Sequence, residues 1–194
     1  MRVFIAVLVL IFSFQSWTKA DDISEFEIEG MSIGDSLLDY FSEEEIKKFK
    51  AYFYNDKEYK ILQTSLKPKI YDGIEVAVKN GDRNYIIYQI VGGIFYEDNI
   101  NNCYIKQKEI ASELTDMFSN NVKKRSWEKK HSADKTGNSL NTTIQFEFKS
   151  NDILRVSCYD WSKKFEDERN YADNLRVTII DANYSNWVNT KAHK

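Results

Sequence analysis

The chain has 194 residues, of which 42% are apolar and 14% aromatic, so it carries enough apolar side chains to bury a core. Its formal net charge is −3, which argues against a nucleic-acid partner, because such proteins normally present a basic face. The chain contains one proline and no Gly/Ser/Pro-rich linker. Beyond residue 20 the composition therefore predicts a single domain, over residues 21–194.

The first 20 residues are typical of a secretory signal peptide. Arg2 precedes an apolar run from Val3 to Phe14, and the segment ends in Thr18-Lys19-Ala20. This pattern predicts cleavage between Ala20 and Asp21. The apolar run is shorter than the ~20 residues that span a bilayer, so a membrane anchor is the less favoured alternative. We therefore expect a periplasmic or secreted protein with no stable membrane insertion after cleavage.

Cys103 and Cys158 are the two cysteines of the chain. In an oxidising compartment an even number of cysteines favours a disulfide over two buried free thiols. A zinc site is disfavoured, because no further cysteine or clustered histidine completes a set of four ligands. The bridge would close a loop of roughly 55 residues, which the chain-entropy model associates with about 4 kcal/mol of stabilisation.

The stretch from residue 30 to residue 48 predicts two consecutive helices after a short strand at Phe26-Glu27-Ile28. Ser32 and Asp35 have the spacing of a capping box, and so do Ser42 and Glu45. The glycines of this stretch lack the spacing and the lysine of the glycine-rich phosphate loops. We therefore interpret the stretch as helix starts rather than as an anion site.

The strongest hairpin signal lies between residues 74 and 91. Ile74 to Lys79 alternates in polarity, Asn80-Gly81 suits a tight turn, and Tyr85 to Val91 is β-branched and aromatic. A strand at 59–66 precedes this hairpin, and an amphipathic helix at 100–119 follows it.

The remainder of the chain predicts mostly strands, separated by polar turns and by a charged segment at 163–173. The expected strands cover residues 122–127, 140–148, 153–161 and 175–179. We expect residues 181–194 to form a loosely ordered tail, in which Trp187 is an isolated anchor.

This element order predicts the α+β class, with helices packed on one face of an antiparallel sheet. Each half of the chain reads as a helix followed by a meander of strands. A duplication into two helix-plus-meander halves is therefore a second interpretation of the same order.

The chemistry-bearing residues do not form a recognisable catalytic motif. The two histidines, His131 and His193, lie far apart in a polar loop and in the tail, and the common nucleophile and metal motifs are absent from the sequence. We assign no catalytic residue, no metal ligand and no cofactor. Tyr52, Phe53 and Tyr54 are expected at the end of the second helix, where packing against the sheet is favoured over contact with a partner.

The stretch "GMS", the short helix and the second capped helix, followed by antiparallel strands, resemble small bacterial envelope proteins. Examples are the BamE/SmpA-like proteins and the β-lactamase-inhibitor-like repeats. The segment "SIGDSLLDYFSEEEIKK" after a signal peptide also resembles exported proteins of AT-rich marine alphaproteobacteria. These resemblances imply an envelope location and a helix-plus-meander fold, and they imply no activity.

The function that these observations favour is a non-catalytic binding or protein-interaction module in the periplasm or outside the cell. Its partner would be an envelope protein or a small ligand, and not a nucleic acid. One alternative is a small-molecule or lipid carrier, which needs an apolar cavity between helix and sheet. Another is a hydrolase with a carboxylate-based site.

Overall fold

The structure, a computed structural model, describes residues 22–65, 68–97, 99–118 and 122–194. The predicted signal peptide and its cleavage site between Ala20 and Asp21 lie outside these residues. The strands are β1 Lys50–Phe53, β2 Tyr59–Thr64, β3 Gly73–Lys79, β4 Ile87–Phe95, β5 Lys123–Lys130, β6 Leu140–Glu147, β7 Ile153–Asp160 and β8 Asn174–Ile180. The α-helices are α1 Glu43–Ile46, α2 Ile100–Met117, α3 Lys163–Arg169 and α4 Ala182–Thr190.

The strands form one antiparallel sheet in the order β1-β2-β3-β4-β8-β7-β6-β5. Each half of this order is a four-stranded meander, and the two meanders join where β4 pairs with β8. The α+β class with an antiparallel sheet is therefore confirmed. The order also agrees with two helix-plus-meander halves, because a helix precedes each meander in the chain.

One face of the sheet packs against α2 and the N-terminal segment. Alternate residues of an antiparallel strand point to opposite faces, so each strand contributes every second side chain to this core. Ile90 of β4, Val156 of β7 and Leu175 of β8 are fully buried there. Phe26 from the N-terminal segment and Phe118 at the end of α2 close the same core with rings 5.2 Å apart.

Two contacts attach α2 to the second meander. The predicted disulfide joins Cys103 in the first turns of α2 to Cys158 on β7, with Cα atoms 6.1 Å apart. Gln107, one turn further along, is 2% exposed and donates to the carbonyl oxygens of Thr142 and Val156 at 2.7 and 2.8 Å. A buried amide that meets its partners is tolerated in a core, and here it holds α2 over β6 and β7.

The N-terminal segment is less regular than the sequence predicts. The expected strand at 26–28 is reduced to one bridge between Ile28 and Met31, and the first expected helix is a 3-10 turn at Leu37–Asp39. The capping box of Ser42 is present, but α1 has only four residues. The expected location of Tyr52 and Phe53 at a helix end is wrong, because both lie on β1. The side chains of Phe41 and Phe49 are buried in the core, although the segment that carries them is not a continuous helix.

The C-terminal segment is also more ordered than expected. Residues 181–194 are not a loosely ordered tail, since α4 occupies Ala182–Thr190 with Asp181 as its N-cap. Tyr184 is 1% exposed and Trp187 is 3% exposed. Both pack with Tyr59 on the face of the sheet opposite to α2. The sequence shows little helical periodicity in α4, because Tyr184 and Trp187 are its two buried side chains.

Gly92 on β4 leaves room for a core ring. A Cβ atom at Gly92 would lie 2.6 Å from the ring of Tyr71, whereas one at Gly93 would lie 3.9 Å from its nearest neighbour, a backbone oxygen. We expect G92A to lower the free energy of unfolding by about 1–3 kcal/mol, because the buried ring must shift. G93A is the matched control, and we expect it to be neutral or stabilising by up to about 1 kcal/mol. Urea unfolding of the two variants gives the comparison, and equal losses would contradict this role of Gly92.

Candidate functional site

The face of the sheet opposite to α2 is covered only in part. At one end, α4 lies over Tyr59, Ala77, Ile153 and Ile180. At the other end, a group of stacked rings surrounds Trp161. We call the surface between these two ends the open face. Its side chains include Gln63, Gly73, Glu75, Val91, Gly93, Phe95, Trp127, Arg155, Tyr159, Asn174, Arg176 and Thr178.

A cleft of about 50 Å³ lies on the open face where β2, β3, β4 and β8 run side by side. Its floor contains two glycines that are paired across β3 and β4, Gly73 and Gly93. Phe95 stands at its rim and is 54% exposed. The other residues that line the cleft are Gln63, Glu75, Val91, Asn174 and Arg176.

The two floor glycines are not required by the backbone or by the packing of the sheet. Neither has a positive φ angle, and a Cβ atom at Gly73 would lie 3.8 Å from its nearest neighbour, an ordinary contact. Glycine in a strand costs about 0.5–1 kcal/mol relative to alanine. Glycine within a strand also often marks a site that a ligand or another chain approaches closely. The cleft is therefore a candidate site where a partner group enters.

The charge of the open face differs from that of the whole chain. On the half formed by β5 to β8, the side chains that share this face include five cations and one carboxylate, Lys123, Arg125, Lys129, Arg155, Arg176 and Glu147. The complete chain has a net charge of −3. This half of the face is therefore basic on an acidic protein.

Arg176 connects the basic half of the face to the cleft. Its Nη1 lies 3.5 Å from a carboxylate oxygen of Glu75, and its Nε donates to Asn174 at 3.1 Å. The guanidinium lies over the ring of Tyr159, 5.0 Å from the centroid, in a cation–π contact. These contacts hold the side chain flat along the face, with one edge towards the cleft.

The aromatic end of the open face is built around Trp161. Its ring stacks on Phe165 at 5.2 Å and lies 4.4 Å from the ring of His131. Burial and the Arg176 cation lower the pKa of His131, so this ring is neutral at neutral pH. His131 therefore packs here as a neutral ring, and its Nδ1 accepts from the backbone N–H of Ala133 at 3.3 Å.

Carboxylates near the aromatic end serve structural roles. Asp134 accepts from the hydroxyls of Ser139, Thr136 and Ser162, and these bonds hold its pKa well below the usual range. Asp173 accepts from the backbone N–H of Trp161 at 2.7 Å. Within the part of the chain that the structure describes, no cluster of three or more His, Cys, Asp or Glu residues could hold a metal ion.

The interface between α2 and the sheet leaves little room for a ligand. The gap found there has a volume of about 10 Å³ and is lined mostly by apolar residues from α2, β7, β8 and the N-terminal segment, together with Glu27. A drug-sized ligand normally occupies several hundred Å³. No helix among the described residues is long and apolar enough to cross a membrane.

Comparison with family models, with curated proteins and with solved structures finds no match to this chain.

Sequence analysis predicted the disulfide but missed the residues of the open face. A usable signal was present, because Leu154-Arg155-Val156 and Leu175-Arg176-Val177 repeat the same three residues in two predicted strands. An arginine between two core residues must point to the opposite face of its strand. The glycines of the cleft gave no such signal, because their pairing across β3 and β4 depends on the register.

The pKa of Asp173 provides a test of the aromatic end. Burial, and then the nearby Asp160 and Glu166 carboxylates, raise this pKa to about 6. The folded state therefore binds a proton more tightly than the unfolded state, and stability falls as the pH rises from about 4 to about 6. D173N lacks this charge and keeps an oxygen for the Trp161 N–H. We expect the free energy of unfolding of D173N, relative to wild type, to rise across this window by less than about 1 kcal/mol, given solvent screening.

Urea unfolding between about pH 4 and pH 7.5 measures this difference. D134N is the control, because the Asp134 carboxyl is ionised in both the folded and the unfolded state above about pH 5. The penalty of D134N should therefore stay constant from about pH 5 upwards. A D173N difference that does not change with pH would contradict the raised pKa of Asp173.

Proposed function

We propose that this protein is an exported, non-catalytic interaction module whose open face binds an acidic protein partner. The observation that carries the proposal is the cleft with its glycine floor, which lies beside the basic half of the same face. A rigid sheet presents these groups without the ordering cost that a flexible loop would pay on binding. The five cations on β5 to β8 complement acidic side chains and speed the encounter with them.

An interaction module is supported over a carrier by where the empty space lies. The gap between α2 and the sheet holds about one water, whereas the larger cleft is on the surface beside Phe95. Phe95 is a large exposed aromatic ring at the rim of a pocket, which is typical of anchor residues in protein interfaces.

The proposed export is tested by measuring the mass of the intact protein. The disulfide between Cys103 and Cys158 favours an oxidising compartment. When the full chain is expressed in a bacterial host, we expect the mass of residues 21–194 lowered by the two hydrogens of the bridge. The double variant C103S/C158S controls for the loss of hydrogens. A reduced, uncleaved chain of residues 1–194 would contradict export.

The open face is tested with a photo-reactive amino acid placed at one of two matched positions. Phe95 is 54% exposed on the open face, and Ile105 is 57% exposed on α2. In envelope extract of the source organism, we expect the probe at Phe95 to cross-link one acidic protein and the probe at Ile105 to leave that protein unmodified. The cross-linked protein is then identified by mass spectrometry and purified.

The purified partner allows a quantitative test of the cleft. G93L places a side chain in the cleft, and we expect it to weaken the affinity at least about tenfold, which corresponds to 1.4 kcal/mol. Urea unfolding shows whether G93L is folded, and G93A serves as the conservative variant. Equal cross-linking at the two positions, or equal affinity of wild type and G93L, would contradict the open face as the binding surface.

A further inference from the structure

We propose that the cleft on the open face holds a tyrosine side chain of the acidic protein partner, with its ring on the glycine floor and its hydroxyl between Glu75 and Gln63. This inference rests on the proposed function and adds the side chain that anchors the partner.

The size of the cleft suits one side chain rather than a whole small molecule. Its volume is about 50 Å³. A single water needs roughly 10–15 Å³, whereas drug-sized ligands occupy pockets of several hundred Å³. The cleft opens to the surface of the sheet beside the exposed ring of Phe95. A side chain that projects from a partner can therefore enter it while the backbone of the partner stays outside.

The floor of the cleft is shaped for the flat face of a ring. Gly92 shows how β4 uses a glycine on the other face of the sheet, where three atoms of the Tyr71 ring lie 2.6, 2.6 and 2.7 Å from the place of the missing Cβ atom. A ring over a strand glycine covers the bare backbone of a sheet. At Gly73 and Gly93, only backbone oxygens of the described residues lie within 4 Å of such a Cβ atom. The corresponding space above this pair is therefore open to a ring from outside.

Phe95 gives an inserted ring an aromatic neighbour. It follows Gly93 by two residues on β4, so its side chain stands on the same face, about 6.6 Å further along the strand. Aromatic rings pair best in offset or edge-to-face arrangements with centroids roughly 4.5–7 Å apart. An aromatic anchor therefore gains more from this cleft than an aliphatic one.

Two polar groups beside the floor match the hydroxyl of a tyrosine. Gln63 and Glu75 line the cleft and lie directly opposite each other on β2 and β3. The Oε1 of Gln63 accepts from Tyr52 at 2.9 Å, and its amide nitrogen has no hydrogen-bond partner among the residues that the structure describes. In the same part of the chain, Glu75 contacts Arg176 through Oε2 at 3.5 Å, and its Oε1 accepts no hydrogen bond. The pair thus offers one donor and one acceptor, and a hydroxyl uses both.

The charges around the cleft exclude other anchors. An acidic side chain would meet the carboxylate of Glu75, so its place is over the basic half of the face, and a lysine would approach the cation of Arg176. A phenylalanine ring would leave both polar groups without a partner, and a tryptophan offers a donor only. The favoured anchor is therefore a tyrosine with acidic neighbours in the sequence of the partner.

The test titrates the mature, disulfide-bonded protein with three peptides and follows it by NMR. The first peptide is acetyl-GEYEG-amide, and the two matched peptides carry phenylalanine or alanine in place of tyrosine. A ring above a glycine shifts the Hα resonances of that glycine upfield. We therefore expect saturable upfield shifts at Gly73 and Gly93 with the tyrosine peptide. The phenylalanine peptide should give the same shifts with an affinity about fivefold weaker, since it lacks the hydroxyl, and the alanine peptide should give none.

Two variants assign the ring and the hydroxyl to their places, and urea unfolding shows whether each is folded. G73V fills the floor with a side chain that suits a strand, so it should weaken both aromatic peptides at least about tenfold. E75A removes the acceptor, so the affinity ratio of the tyrosine and phenylalanine peptides should fall to about twofold or less. E113A is the matched control, because Glu113 lies exposed on α2, and it should leave this ratio unchanged.

Three results would overturn the inference. If the tyrosine and alanine peptides bind equally, or if no peptide binds, the cleft holds no ring. If the ratio of the two aromatic peptides is the same in E75A as in wild type, the hydroxyl does not lie at Glu75. If methyl β-glucoside binds at Gly73 and Gly93 more tightly than the tyrosine peptide, and without upfield shifts, the cleft is a sugar site.

The purified partner separates this inference from the proposed function. A partner that cross-links at Phe95 and loses affinity for G93L, but binds equally well after each of its exposed tyrosines is replaced by alanine, would overturn the tyrosine anchor alone. The proposed function would then stand. Equal affinity of this partner for wild type and G93L would overturn both.

Discussion

The pairing of β4 with β8 is the interaction on which the rest of this structure depends. It runs from Gln89 opposite Ile180 to Phe95 opposite Asn174, and it joins two meanders that are otherwise separate in the chain. Each meander alone would expose the full length of one of these strands as an unpaired edge, which invites association. Once the pair forms, Ile90 and Leu175 lie in one core under α2. The disulfide and Gln107 then hold α2 to β6 and β7 of the second meander.

The same pairing creates more sheet surface than the helices cover. Eight strands spaced about 4.8 Å apart span roughly 34 Å. On the face opposite to α2, the described helices lie at the two ends: α4, whose nine residues extend about 14 Å, packs at one end, and Phe165 of the short helix α3 stacks on Trp161 at the other. The centre of this face is therefore built from side chains that tolerate water. The cleft and the two arginines lie there, and both are positioned by strands that are buried on their other face.

The sequence correctly predicts those elements whose characteristic pattern lies within a few neighbouring residues. The hairpin around Asn80-Gly81, the amphipathic α2 and the capping box of Ser42 are examples, and Gly81 has the positive φ angle that its turn requires. Elements that depend on distant partners were missed. The residues at 52–54 look helical beside α1, but pairing with β2 makes Tyr52 and Phe53 part of a strand.

The open face could not be assembled from the sequence for the same reason. Alternation shows that Arg155 and Arg176 point away from the core of their strands, but only the β7–β8 register makes them diagonal neighbours. Likewise, the small size of Gly73 and Gly93 matters only because the β3–β4 register sets them side by side. A site formed by the register of a sheet has no short motif, in contrast to a loop that binds phosphate.

Both edges of the sheet disfavour the addition of another strand. The edge strand β1 has only four residues, and short edges are poor templates for another strand. The other edge, β5, carries five cationic side chains, Lys123, Lys124, Arg125, Lys129 and Lys130. Lysine-rich edges repel strands that would add to the sheet. With both edges protected in this way, the face between α4 and the Trp161 rings is the broad surface left to the proposed partner, and its basic half is the reason for proposing an acidic one.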